Sequence, residues 1–138
     1  MDNPGPFVFT FNGGAFSLGA AGTFVGDWVY GIEGALALSL QAKFASAGAG
    51  AATLYIQTSL DQGQTAVDVA AFSLAQANKV AVANLSALDK ANPFVPAQQS
   101  LAADTIQDGV LGDRVRAVLV ASAPYSAGAS LSIFGCAR

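Results

Sequence analysis

Apolar and polar residues alternate along most of this chain, and the period is two rather than the 3.6 of a helix. In FVFTF the rings of Phe7, Phe9 and Phe11 fall on one face, and in GTFVGDWVYGI the same reading puts Phe24, Trp28, Tyr30 and Ile32 together, in line for burial. The clearest case is ALALSLQAKF, with Leu36, Leu38, Leu40, Ala42 and Phe44 turned inward and Ser39, Gln41 and Lys43 outward. One wetted face and one packed face is the habit of antiparallel sheets. ATLYIQTS, AVDVAAF, KVAVANL, RVRAVLVAS and ASLSIFG continue the pattern, separated by turn-rich pieces such as APYSAG. About eight short strands in one domain spanning residues 1–138 predict an all-β fold, an antiparallel β-sandwich of jelly-roll type.

Two stretches break the alternation. Ser86 to Gly112 carries Pro93 and Pro96 and is expected to be one long loop; Ser86 to Lys90 and Ser100 to Ile106 could each form a helical turn, but neither pattern is long enough to establish one. Loops of that length in compact domains tend to have a function. Met1 to Pro6, with Asp2, Pro4 and Pro6, reads as an extended arm able to reach a neighbouring subunit. The small-residue tract Ala45 to Ala52 is expected to connect the two strands of a hairpin.

Charge changes the picture most. The 138 residues contain 6 Lys+Arg and 9 Asp+Glu, so 11% are charged while 53% are hydrophobic, and mean hydropathy is +0.48. Soluble domains carry roughly 25% charged residues. Spread over the roughly 6,600 Å² expected for a chain this size, that is about one charge per 440 Å². Such a surface suits coverage by other protein. A net charge of −3 with scattered cations argues against nucleic acid as a partner. The uncharged run Ala117 to Ala137 alternates and contains Pro124 and Gly128, which fits strands better than a membrane span. No cation precedes Lys43, so no secretory signal is expected.

The chemistry available is thin. There is no His, and the single Cys136 has no partner for a disulfide or a thiolate metal site. Asp104, Asp108 and Asp113 lack the spacing of a calcium loop and read as solvated loop acids. Asp61 and Asp68 belong to one hairpin rather than to the two walls of a cleft. The expectation is therefore a protein that is not an enzyme and takes no cofactor or metal. Phe94, bracketed by Pro93 and Pro96, is a candidate interface anchor because a stiffened loop loses little entropy on docking. Arg114 and Arg116 share a strand face and are candidates to meet acids on a neighbour. With Asp2, Pro4 and Pro6 of the arm, these residues form the expected interface set.

SLDQGQTA, Ser59 to Ala66, resembles the Asp-box hairpin of sialidase-type propellers, with Ser59, Asp61, Gly63 and Thr65 in register and Ala66 where the motif has an aromatic. The resemblance implies a turn and no chemistry: Asp61 accepts backbone N–H bonds and Gly63 takes φ > 0. Without its aromatic, the turn is expected to lean on neighbouring strands or on a neighbouring subunit. LYIQTSLDQGQTAVDVAAF and DGVLGDRVRAVLVASAPYSAGASLSI, together about a third of the 138 residues, resemble small β-rich structural proteins of tailed bacteriophages. That resemblance implies a virion protein made in the host cytoplasm, a decoration or cement protein on the capsid surface. It would form a homo-oligomer, a trimer in the favoured case, and contact the major capsid protein. A neck or tail component is the nearest alternative. A carbohydrate-binding module is a third, motivated by Trp28 and Tyr30.

Overall fold

A computed structural model describes residues 5–46, 50–74, 78–125 and 128–138. Among them there is no helix, and ten strands form two antiparallel sheets. The strands are β1 (Pro6–Val8), β2 (Gly22–Val25), β3 (Val29–Tyr30), β4 (Ala37–Ala45), β5 (Ala51–Ser59), β6 (Val67–Leu74), β7 (Lys79–Ser86), β8 (Thr105–Ile106), β9 (Arg114–Ala123) and β10 (Ser130–Ala137). One sheet has the order β1-β10-β4-β7; the other runs β2-β9-β5-β6-β8, with β3 also paired to β9.

Most connections change sheet. β4 lies in the four-stranded sheet and β5 in the six-stranded one, so the small-residue tract between them joins two sheets rather than the arms of a hairpin. β9 and β10 are divided in the same way. Alternation specifies which side of a strand is buried, not which strand it pairs with, and this is why the connection was misread. Crossing between sheets brings the apolar sides of both together. Leu38, Leu40, Phe44, Leu131 and Ile133 from one sheet and Leu54, Ile56, Phe72, Val115 and Leu119 from the other form one buried cluster. Tyr125, just beyond β9, closes one end. Its hydroxyl donates to the Leu74 carbonyl at 2.6 Å and its ring meets Phe44 edge-on with centroids 5.0 Å apart.

Three expectations need correction. Leu36 is 54% exposed, because β4 begins only at Ala37. Trp28 and Tyr30 do not share the inward side of Phe24 and Ile32. Val25 stands opposite Val118, but Val29 stands opposite Val115, so one additional residue lies between β2 and β3. That extra residue reverses the alternation: Phe24 and Val29 pack on the core, while Trp28 is half-buried and Tyr30 is 60% exposed. Gly31, at φ +85°, then turns the chain over so that Ile32 is fully buried. The third correction concerns the segment 86–112, which holds bends, turns and the two-residue β8 in place of helical turns. The side chains of Asp104 and Asp113 reach solvent, as those of solvated loop acids would, and with Asp108 they also accept hydrogen bonds from the chain's own groups, as described below.

Of the N-terminal arm, Asp2 and Pro4 lie outside the described residues. Pro6 opens the edge strand β1, opposite Cys136 of β10, a position where its missing N–H is tolerated.

Candidate functional site

The outward side of the six-stranded sheet carries a polar row that crosses three strands. β5 and β6 pair in register to Ile56 opposite Ala70; Gln57 then faces Asp68, leaving Val69 as the extra residue of a bulge. Val69 and Ala70 both join the core, and Asp68 comes round beside Gln57. On the other side, Gln57 stands opposite Arg116 of β9. Gln57 Nε2–H donates to Asp68 Oδ1 at 2.9 Å, and its Oε1 accepts from Arg116 Nε–H at 3.0 Å. With both ends of the amide engaged, the Gln57 side chain has one orientation. Arg116 lies over the Trp28 ring, 4.5 Å from its centroid. Burial pulls the Arg116 pKa below its ordinary value.

Asp68 is 2% exposed, and a buried carboxylate must find donors. It finds them in the long loop. The N–H groups of Gln99, Ser100 and Leu101 donate to its two oxygens at 2.9, 2.8 and 3.0 Å. The Asp68 N–H in turn donates to the Ala97 carbonyl at 2.9 Å. Leu101 is thereby seated on Tyr55, Ala71 and Val118, a small second cluster on the outward side of this sheet. Asp68 thus acts as a latch that holds the middle of the loop over the sheet.

Other acids pin the same loop. Asp104 Oδ1 accepts from the Ser73 N–H at 3.1 Å and pairs with Lys79 at 3.4 Å. The Ser73 amide and then Lys79 hold the Asp104 pKa below its ordinary value. Asp108 accepts from the Ser86 N–H at 2.8 Å. Asp113 takes Arg114 Nε–H at 2.9 Å and Nη2–H at 3.1 Å.

The hairpin between β5 and β6 is built as its pattern requires. Ser59 Oγ donates to Asp61 Oδ1 at 2.9 Å and accepts from the Gly63 N–H at 2.8 Å; Asp61 Oδ1 also accepts from the Thr65 N–H at 2.7 Å. Gly63 has φ +90°, a conformation that costs a glycine little. Beneath the turn lie Arg114 and Trp28. A Cβ at Gly63 would sit 3.2 Å from Arg114 Nη1 and 3.6 Å from Trp28 Nε1. Arg114 also donates to the Gln62 carbonyl at 3.1 Å and stacks on Tyr30, 4.8 Å from the ring centroid. The ring near the turn thus comes from Trp28, thirty-eight residues before Ala66. Arg114 and Arg116 share the outward side of β9, and both are engaged within the chain.

Two apolar surfaces remain open. On the loop side, Pro93, Phe94 and Pro96 line a groove of about 490 Å³ together with Leu60, Val67 and Val110. Phe94 is 44% exposed, and Val95 at the tip is 95% exposed. The second is the outward side of the four-stranded sheet. Val8, Phe134, Gln41 and Val82 form one row across it, from β1 through β10 and β4 to β7. A groove of about 580 Å³ follows β4, floored by Ser39 and Gln41 and walled by Val82, Phe134 and Pro6. Val82 is 72% exposed and Val80 63%. The only charged side chain on the outward positions of these four strands is Lys43. Alternation had marked Ser39, Gln41 and Lys43 as outward; that β7 and β10 would set Val82 and Phe134 beside them needed strand pairing to see.

Among the described residues, no three His, Cys, Asp or Glu side chains converge as a metal site would require. No protein-family model, curated protein or solved structure matches the chain significantly.

Proposed function

We propose that this chain is a non-enzymatic structural protein that works by covering other protein surfaces, in its specific form a capsid decoration or cement protein of a tailed bacteriophage. The observation that carries the reading is the pair of open apolar surfaces on one rigid scaffold, on a chain with few charges. A subunit that joins an array needs at least two contacts, and both here are neutral enough to desolvate cheaply. The virion setting comes from the likeness of residues 54–72 and 108–133 to phage structural proteins. In this reading the two sheets form a jelly-roll-like sandwich. The protein oligomerises, as a trimer in the favoured case, and its copies bridge joints between major capsid subunits. Binding only the assembled shell favours assembly by mass action, and several weak contacts on one oligomer act together. A neck or tail position uses the same physics.

The test adds purified protein to capsids that lack it and measures occupancy and the temperature of shell rupture. Saturable occupancy with a raised rupture temperature is expected, and shells that take up no protein refute the decoration role.

Carbohydrate binding has one observation of its own. Tyr30 is 60% exposed two residues from the half-buried Trp28, an outward aromatic pair with Arg114 and Arg116 stacked on its two rings. Trp28 fluorescence that changes on titration with a glycan panel would favour that module instead.

A further inference from the structure

The two open surfaces differ in shape and in charge, and this decides what covers them. The sheet surface is a groove with Lys43 beside it, Arg138 at the end of β10, and no acid on its outward positions. The loop surface has a groove of its own, but its tip projects beyond it, with Val95 95% exposed. Pro93 and Pro96 fix the backbone around Phe94 and Val95, so the tip is already ordered before it meets anything. Its surroundings are acidic on balance. Asp61 follows Leu60 of the loop groove, and the Asp89 carbonyl lies against Gly109 of the same groove; both side chains are exposed, with Lys90 next to Asp89 and Arg114, itself paired with Asp113, beneath the Asp61 turn. No residue lines both grooves.

We infer that the Pro93–Pro96 tip of one copy docks into the β4 groove of the next, so that the chain assembles head to tail. Val95 and Phe94 fill the space between Val82 and Phe134, while Asp61 and Asp89 approach Lys43 and Arg138. Joining two different surfaces makes the contact heterologous: it closes into a ring if the rotation between copies permits and otherwise runs on as a filament. This deepens the assembly reading and rests on it only for the premise that both surfaces are meant to be covered. A partner protein in the groove, or two grooves packed face to face, are the competing occupants.

The experiment uses the full chain and its own thiol. Cys136 lines the β4 groove and is half-buried there. Val95→Cys therefore places a second thiol on the tip, and mild oxidation should give intermolecular bridges between the introduced thiol and Cys136, seen as a ladder of multimers and identified by peptide mapping. Bridges joining only like thiols, or no multimers at all, overturn the inference. Mass by light scattering supplies the second arm. The wild type should exceed monomer mass, while Val82→Asp and Val95→Asp should each be monomeric. Both positions are exposed, and a retained β-type circular dichroism spectrum checks folding; Val80→Asp replaces the first variant if it misfolds. Mixing the two variants leaves one intact tip and one intact groove, so dimers must return, at twice the monomer mass. A mixture that stays monomeric overturns the head-to-tail contact. A wild type that is monomeric yet occupies capsids sinks this inference and leaves the decoration role standing; one that multimerises yet ignores capsids does the reverse.

Discussion

At the scale of single residues, exposed carboxylates hold this chain's loops by accepting backbone N–H bonds. Asp61 is held below its ordinary pKa first by the Thr65 amide, and Asp27 first by the Thr10 hydroxyl and then by the Gly13 amide. Asp113 is lowered by Arg114. A folded-state pKa below the unfolded value of 3.8 means that stability is fully present above pH 3.8 and is lost as pH falls through the lower folded value. Thermal melts should therefore be flat above that pH and fall below it, with Asp61→Asn reducing the fall by removing one of its contributors. If the acid limb is unchanged in that variant, the carboxylate is not what ties the turn. Tyr125→Phe removes a buried donor from the Leu74 carbonyl and should cost about 1–2 kcal/mol in urea unfolding. The turn-forming character of Asp61 was legible, since a carboxylate two residues before a glycine has few other uses in a hairpin. The engagement of Arg116 by Trp28 and Gln57 was not, because the three lie far apart in the chain and meet only through β9 pairing with both β3 and β5.

Between elements, the dominant feature is the latch of Asp68 on the long loop. Asp68→Asn keeps the shape but exchanges an acceptor for an NH₂ group facing amide donors, and it should destabilise the fold by about 3 kcal/mol. Limited proteolysis offers the sharper measurement: cleavage within residues 97–106 should appear in this variant while the strands stay protected. Uniform protection would show that Leu101 packing alone seats the loop. The latch exists because Val69 is an extra residue in β6, and the Trp28–Tyr30 pair faces outward because an extra residue separates β2 from β3. A period-two reading has no means of seeing either insertion. It carries the parity of one strand across the irregularity, and so it placed Trp28 in the core.

For the whole molecule, the accessible surface of 6744 Å² is close to the value expected for this length, so the chain is not unusually extended. What is unusual is where its apolar groups lie. Because apolar burial supplies most of the contact and the charges at its rim select the partner, self-association should weaken only modestly from about 0.1 to 1 M salt, a range over which screening shortens from roughly 10 to 3 Å. Dissociation on raising salt would mean that Lys43, Arg138 and the acids around the tip carry the contact instead. The sequence by itself determined that the chain is all β, which side of β4 is buried from Leu38 to Phe44, where the Asp61 turn falls and where the long loop begins and ends. These are local properties, written in alternation and turn chemistry. Which strands share a sheet, where a bulge reverses a face, and how Val82 comes to stand across β4 from Phe134 are products of non-local pairing. Only the tertiary structure decided them, since the hydrogen bonds that set register join residues that sequence order keeps apart.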